Sequence, residues 1–193
     1  MAQRRFFDAD TISDLERASF LKETYQADAI RRGQFFQFTR RWTGIADGET
    51  VSMYINNTSD DRPITLAAPQ IQSNGSARIQ VIRNTDTYGT ANSQQSSVIN
   101  LKSGDQDEIA ADVDARTGTN VSVTGGNIIE EGLIAGSGQG SNRTGGSSRA
   151  GIVTYLGGGD DLLFRVTNTS GAASIFAGTI TLIQERRGVP PER

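Results

Sequence analysis

GGGDDLLFRVTNTSGAASIFAGTITLIQER, residues 157–186, decides the fold. After its Gly-Asp turn the chain alternates strictly, with Leu162, Phe164 and Val166 on one face and Leu163, Arg165 and Thr167 on the other. An Asn-Thr-Ser-Gly turn follows, and then a second β-rich run that ends on Gln184 and Glu185. Successive side chains of a strand point to opposite faces, so this segment reads as two two-faced strands joined as a terminal β-hairpin. It is a structural element, not a catalytic one, and the rest of the chain reads as free of internal repeats.

The same period extends back to residue 34. Phe36, Phe38 and Trp42 alternate with Gln37, Thr39 and Arg41, and Val51, Met53 and Ile55 alternate with Ser52, Tyr54 and Asn56. Ile79 and Val81 alternate with Arg78, Gln80 and Ile82. Clusters of Asn, Asp, Gly and Ser at 45–50, 56–61, 72–76 and 84–90 read as turns between strands. Further strands are expected at 62–71, 96–102, 119–124, 127–134, 150–156, 161–168 and 173–185. So many short strands with regular turn signals predict a mainly β protein, an antiparallel β-sandwich of jelly-roll-like kind, over residues 34–187. Two segments break the rhythm: the acidic stretch 103–118, and the Gly/Ser-rich stretch 135–149, read as a loop too polar to pack. Residues 188–193 read as a disordered tail.

Residues 1–33 read differently. Ser13 with Glu16 forms a capping box, Thr11 with Asp14 offers a second, and Gly33 supplies a stop after Arg31 and Arg32. Between them Leu15, Ala18, Leu21 and Tyr25 recur at helical spacing and form one apolar stripe. The segment is therefore expected to be an N-terminal amphipathic helix over about 13–32, and that stripe the assembly interface with a neighbouring subunit. The bland reading is a helix lying on the chain's own sheet.

Composition removes whole classes of chemistry. The 193 residues include no Cys and no His, which excludes thiolate nucleophiles, Cys/His zinc sites, histidine bases and Ser-His-Asp triads. The net charge is −3 and the arginines are scattered, so no polyanion surface is expected and nucleic acid is not a partner. Lysine is confined to Lys22 and Lys102, as an arginine-favouring genome or a high-salt habitat would leave it. No apolar run is long enough to span a membrane, and MAQRRFFDAD lacks the features of a secretory signal, so synthesis in the host cytoplasm is expected.

Four motifs invite chemistry and are set against plainer readings. Asp105, Asp107, Glu108, Asp112 and Asp114 are oxygen donors of the kind Ca²⁺ takes, but the EF-hand spacing is absent, as it is for Asp8, Asp10 and Asp14; no metal is expected. Asp160 and Asp161 are adjacent on a strand and so cannot flank one glycosidic bond; they read as turn formers. The glycine-rich stretches lack the Lys-Ser/Thr of a phosphate loop. Sequons begin at Asn56, Asn57, Asn74, Asn120, Asn142 and Asn168, where they chiefly report turn composition.

A resemblance adds to this reading. QSNGSARIQVIRNTDTYGTANSQQSSVINLKSGDQDEIAADVD (72–114) resembles a section of tailed-virus structural proteins in which a small-residue turn leads into a strand, an N-T-x-x-x-G-T element and a polar tract. LGGGDDLLFRVTNTSGAASIFAGTITLIQE (156–185) is similar to their closing segment. The resemblance covers residues 34–186 and implies a virion structural protein of a phage or archaeal virus, in a capsid decoration, turret, neck or baseplate layer. It implies no enzyme activity, no catalytic residue and no cofactor. The implied partners are further copies of the chain, with a trimer favoured, and other virion proteins. The alternative from another class is a carbohydrate-binding module for a host-surface glycan, in which exposed Trp42, Tyr54, Tyr88 and Tyr155 would stack on sugar rings.

Overall fold

The computed structural model describes residues 27–67, 69–101, 111–134, 143–145 and 154–184. They form two antiparallel sheets. The strands are β1 (Phe35–Ile45), β2 (Thr50–Asn57), β3 (Ile64–Leu66), β4 (Gln70–Ser73), β5 (Ala77–Tyr88), β6 (Ser93–Gln95) and β7 (Ile99–Asn100). They continue as β8 (Val113–Thr119), β9 (Val123–Ile134), β10 (Arg143–Gly145), β11 (Thr154–Leu156), β12 (Asp161–Asn168) and β13 (Ser174–Gln184). One sheet has the order β10-β4-β13-β1-β7, with β3 beside β13 and β11 beside β3; the other runs β6-β8-β2-β12-β5-β9.

The alternation read from the sequence fixes which side chains meet between the sheets. Phe36, Phe38 and Trp42 from β1 and Phe176, Ile180 and Leu182 from β13 share one apolar cluster with Val51, Met53, Ile55, Leu162, Phe164 and Val166 of the facing sheet. Each such side chain contributes about 1.5–3 kcal/mol when fully buried. The sheets approach closely at Gly178, where a Cβ would run into the sulfur of Met53.

The terminal hairpin expected from residues 157–186 does not form. β12 pairs with β2 and β5, whereas β13 pairs with β1, β3 and β4 in the other sheet. The Asn-Thr-Ser-Gly segment is therefore a corner that carries the chain between sheets. A strand apolar on its inner face can be buried by crossing over as well as by turning back, and alternation alone does not distinguish these outcomes.

The chain also contains a repeat. GETVSMYINNTS (48–59) and GDDLLFRVTNTS (159–170) match in pattern, and both fold as turn, strand and corner. Met53 pairs with Phe164 at the middle of the β2–β12 ladder, so a local two-fold relation through that pair exchanges the two copies.

In three other places residues of turn-forming composition lie inside strands, and two expected strands have different bounds. At 84–90 Asn84 takes a positive φ of 54° and the ladder shifts register, but β5 continues to Tyr88 as a bulged strand. Residues 113–119, within the acidic interruption, form β8 against β2, and the stretch read as a strand at 119–124 holds the turn at Asn120 (φ 51°). Residues 143–145, inside the Gly/Ser-rich loop, pair with β4. The single strand expected at 62–71 is two, β3 and β4, each taking part of one side of β13.

Of the N-terminal helix, residues 27–31 are helical and the stop at Gly33 is in place. Gly33 has a φ of 67°, its N–H bonds Ile30 O, and Gln34 N–H bonds Ala29 O, which is a Schellman closure. Leu15, Ala18, Leu21 and Tyr25 lie outside the described residues, as do the tail 188–193 and Asp8, Asp10 and Asp14.

Candidate functional site

The side chains that sequence reading singled out for chemistry are occupied structurally. Arg62 pairs with Asp112, and Arg116 with Asp114 at 2.9 Å; Asp105, Asp107 and Glu108 lie outside the described residues. Asp160 accepts from Arg83 at 2.8 Å and from Gly157 N–H at 3.0 Å, and the Arg83 bond holds its carboxyl below the ordinary range. Its neighbour Asp161 turns away and accepts from both the N–H and the hydroxyl of Thr85, pinning the β5 bulge. Asp160 forms the turn as expected, while Asp161 secures the next strand. The two carboxyls share no cleft.

The aromatic residues divide in the same way. Trp42 is in the core. Tyr54 lies on the outer face of the β2 sheet, stacked on Tyr88 at 4.5 Å, and the pair packs with Ile82 and Leu163 as a second apolar cluster. Because the bulged β5 runs on, Tyr88 reaches back over the sheet and donates to or accepts from Ser52 Oγ at 2.9 Å. Burial, with Asp161 and then Asp114 nearby, pushes the Tyr54 phenol up to about 12. Tyr155 is 58% exposed, so of the four aromatics proposed to stack on sugars it alone offers an open ring.

Two surfaces remain. The first is the edge of β9, the end strand of its sheet. Ile128, Ile129 and Leu133 stand on it exposed, Leu133 at 80%. Between them Glu131 is held by Arg78 at 2.6 Å. Residues 127–134 were read as a strand, but its position at the sheet's edge is a property of topology that local pattern does not carry.

The second surface is an open groove of about 390 Å³ where β1 passes the 94–101 segment. β1 contributes Gln37, Thr39 and Arg40, residues 94–97 contribute two amides and two hydroxyls, and Ile99 and Leu101 form an apolar wall. No family model matches the chain, and no curated protein matches it. Among the described residues no helix is long and apolar enough to cross a membrane.

Proposed function

We propose that the chain is an assembly subunit whose work is interface formation: a virion structural protein of a tailed virus, in a capsid decoration, turret, neck or baseplate layer. The observation that carries this reading is the β9 edge. A long end strand offers unpaired backbone groups, and soluble proteins usually blunt such strands with charge, bulges or cover. β9 does carry Glu130, Glu131 and a bulge at Ile129, but Glu131 is engaged by Arg78 of the neighbouring strand, and Ile128, Ile129 and Leu133 stay exposed. The occupant we assign is a second copy of the chain, in a homo-oligomer with a trimer favoured. Leu15, Ala18, Leu21 and Tyr25 would add a second contact.

The strand order supports a jelly-roll assignment. Counting β3 with β4, and β10 with β11, as one position each in the order, one sheet holds the first, eighth, third and sixth positions and the other the second, seventh, fourth and fifth. β6, β7 and β8 are an insertion between β5 and β9. This double-sheet order recurs in viral capsid and lectin domains, so it favours a structural or binding role over turnover. Mass spectrometry of purified virus particles tests the virion assignment: the chain should be present at a stoichiometry set by the particle's symmetry, and its absence would refute the assignment.

A further inference from the structure

We propose that the groove between β1 and residues 94–101 is a binding site for a carboxylated saccharide, with Arg40 as the carboxylate partner. Its volume suits one or two sugar rings. Its polar lining consists of amides and hydroxyls, which donate and accept at once and so match sugar hydroxyls. Some of these groups are already engaged: Thr39 Oγ1 bonds Thr179 Oγ1, and Ser96 Oγ bonds Thr117 Oγ1, both at 3.1 Å. Gln37, Gln95 and Ser97 line the groove with side chains that none of the described hydrogen bonds uses.

Charge narrows the class further. Among the described residues, Arg40 is the only charged one of the lining, and no carboxylate of theirs opposes it. With the Gln94 amide oriented to satisfy both groups, its oxygen accepts from the Arg40 guanidinium and steadies that fork, which has donors left for a ligand carboxylate. Ile99, 62% exposed, and Leu101 supply an apolar wall for the C–H face of a ring. Among the described lining residues a cation would meet only like charge. A purely apolar ligand would strand the amides.

The test is an NMR titration of the full chain with D-glucuronate, and with D-glucose as the neutral control. Saturable shifts at β1 and 94–101, with a Kd on the order of millimolar and a preference for glucuronate of about tenfold, are expected. Arg40→Gln should abolish the preference, Arg40→Lys should keep part of it, and Gln95→Ala should weaken both ligands. Both positions are at the surface, so the melting temperature should stay unchanged. No saturable shift, or binding indifferent to Arg40→Gln and Gln95→Ala, would overturn the proposal. Groove shifts that follow protein concentration alone would also overturn it, because they would give the groove to a second copy.

Discussion

Asn57 and Asn168 close the two ends of the β2–β12 ladder with the same set of bonds. Each is fully buried, ends its strand, and accepts on Oδ1 from the backbone N–H two residues on, Ser59 at 3.1 Å and Ser170 at 3.0 Å. Each also donates through Nδ2 to the last carbonyl of a strand in the other sheet, Leu156 for Asn57 and Ile45 for Asn168. The backbones match too: Gly159 and Gly48, with φ of 76° and 79°, donate to the carbonyls of Asn57 and Asn168 respectively. A chain that leaves one sheet for another strands its polar backbone groups, and a buried asparagine can both donate to and accept from them.

Replacing either asparagine with alanine should therefore unsatisfy several buried groups at once. A loss of about 2–4 kcal/mol each is expected, to be read from urea unfolding. The corners are ~23 Å apart along an eight-residue strand, so the double variant should be additive within about 0.5 kcal/mol. Losses under about 0.5 kcal/mol for both single variants would contradict the corner role.

Gly178 faces Met53 across the sandwich and sits beside Ile71 of its own sheet. Gly178→Ala should cost about 1–3 kcal/mol through overpacking, and Met53→Ala in the same chain should recover part of that loss. Thermal melts of the single and double variants measure the coupling, and strict additivity would argue against the close approach of the sheets.

Alkaline pH should destabilise the protein through Tyr54. Its folded pKa, about 12, exceeds the ordinary value of 10.0, so the folded state holds its proton more tightly than the unfolded chain does. That contribution is complete below pH 10 and lost as pH rises toward 12; Tyr88, also raised by burial, acts in the same direction. Urea midpoints at pH 9 and 11 should fall less in Tyr54→Phe than in the native chain. Asp160 works with the opposite sign: its lowered pKa gives stability above the ordinary carboxylate range that disappears in acid, and Asp160→Asn should flatten that loss.

Inner and outer faces were legible from alternation wherever a strand had one dry side, as for Phe36, Met53, Phe164 and Val166. Connectivity was not. The stretch between β12 and β13 has the composition of a hairpin turn, and only the buried Asn168 amide reveals a corner; the recurrence of Asn-Thr-Ser eight residues after Gly-Glu and Gly-Asp was the available signal. Asn84 misled because a left-handed residue serves a bulge as well as a turn. The groove was invisible because Arg40 and Gln95 meet through tertiary structure, and the stripe of Leu15, Ala18, Leu21 and Tyr25 stays an expectation from sequence.

Assembly through β9 is the central claim, and light scattering on a size-exclusion column tests it most directly. The native chain should elute as a defined oligomer, and Ile128→Glu with Leu133→Glu should convert it to a monomer with an unchanged melting temperature, since both side chains are exposed. A native chain that is monomeric at every concentration, or an oligomer indifferent to these two charges, would contradict the account.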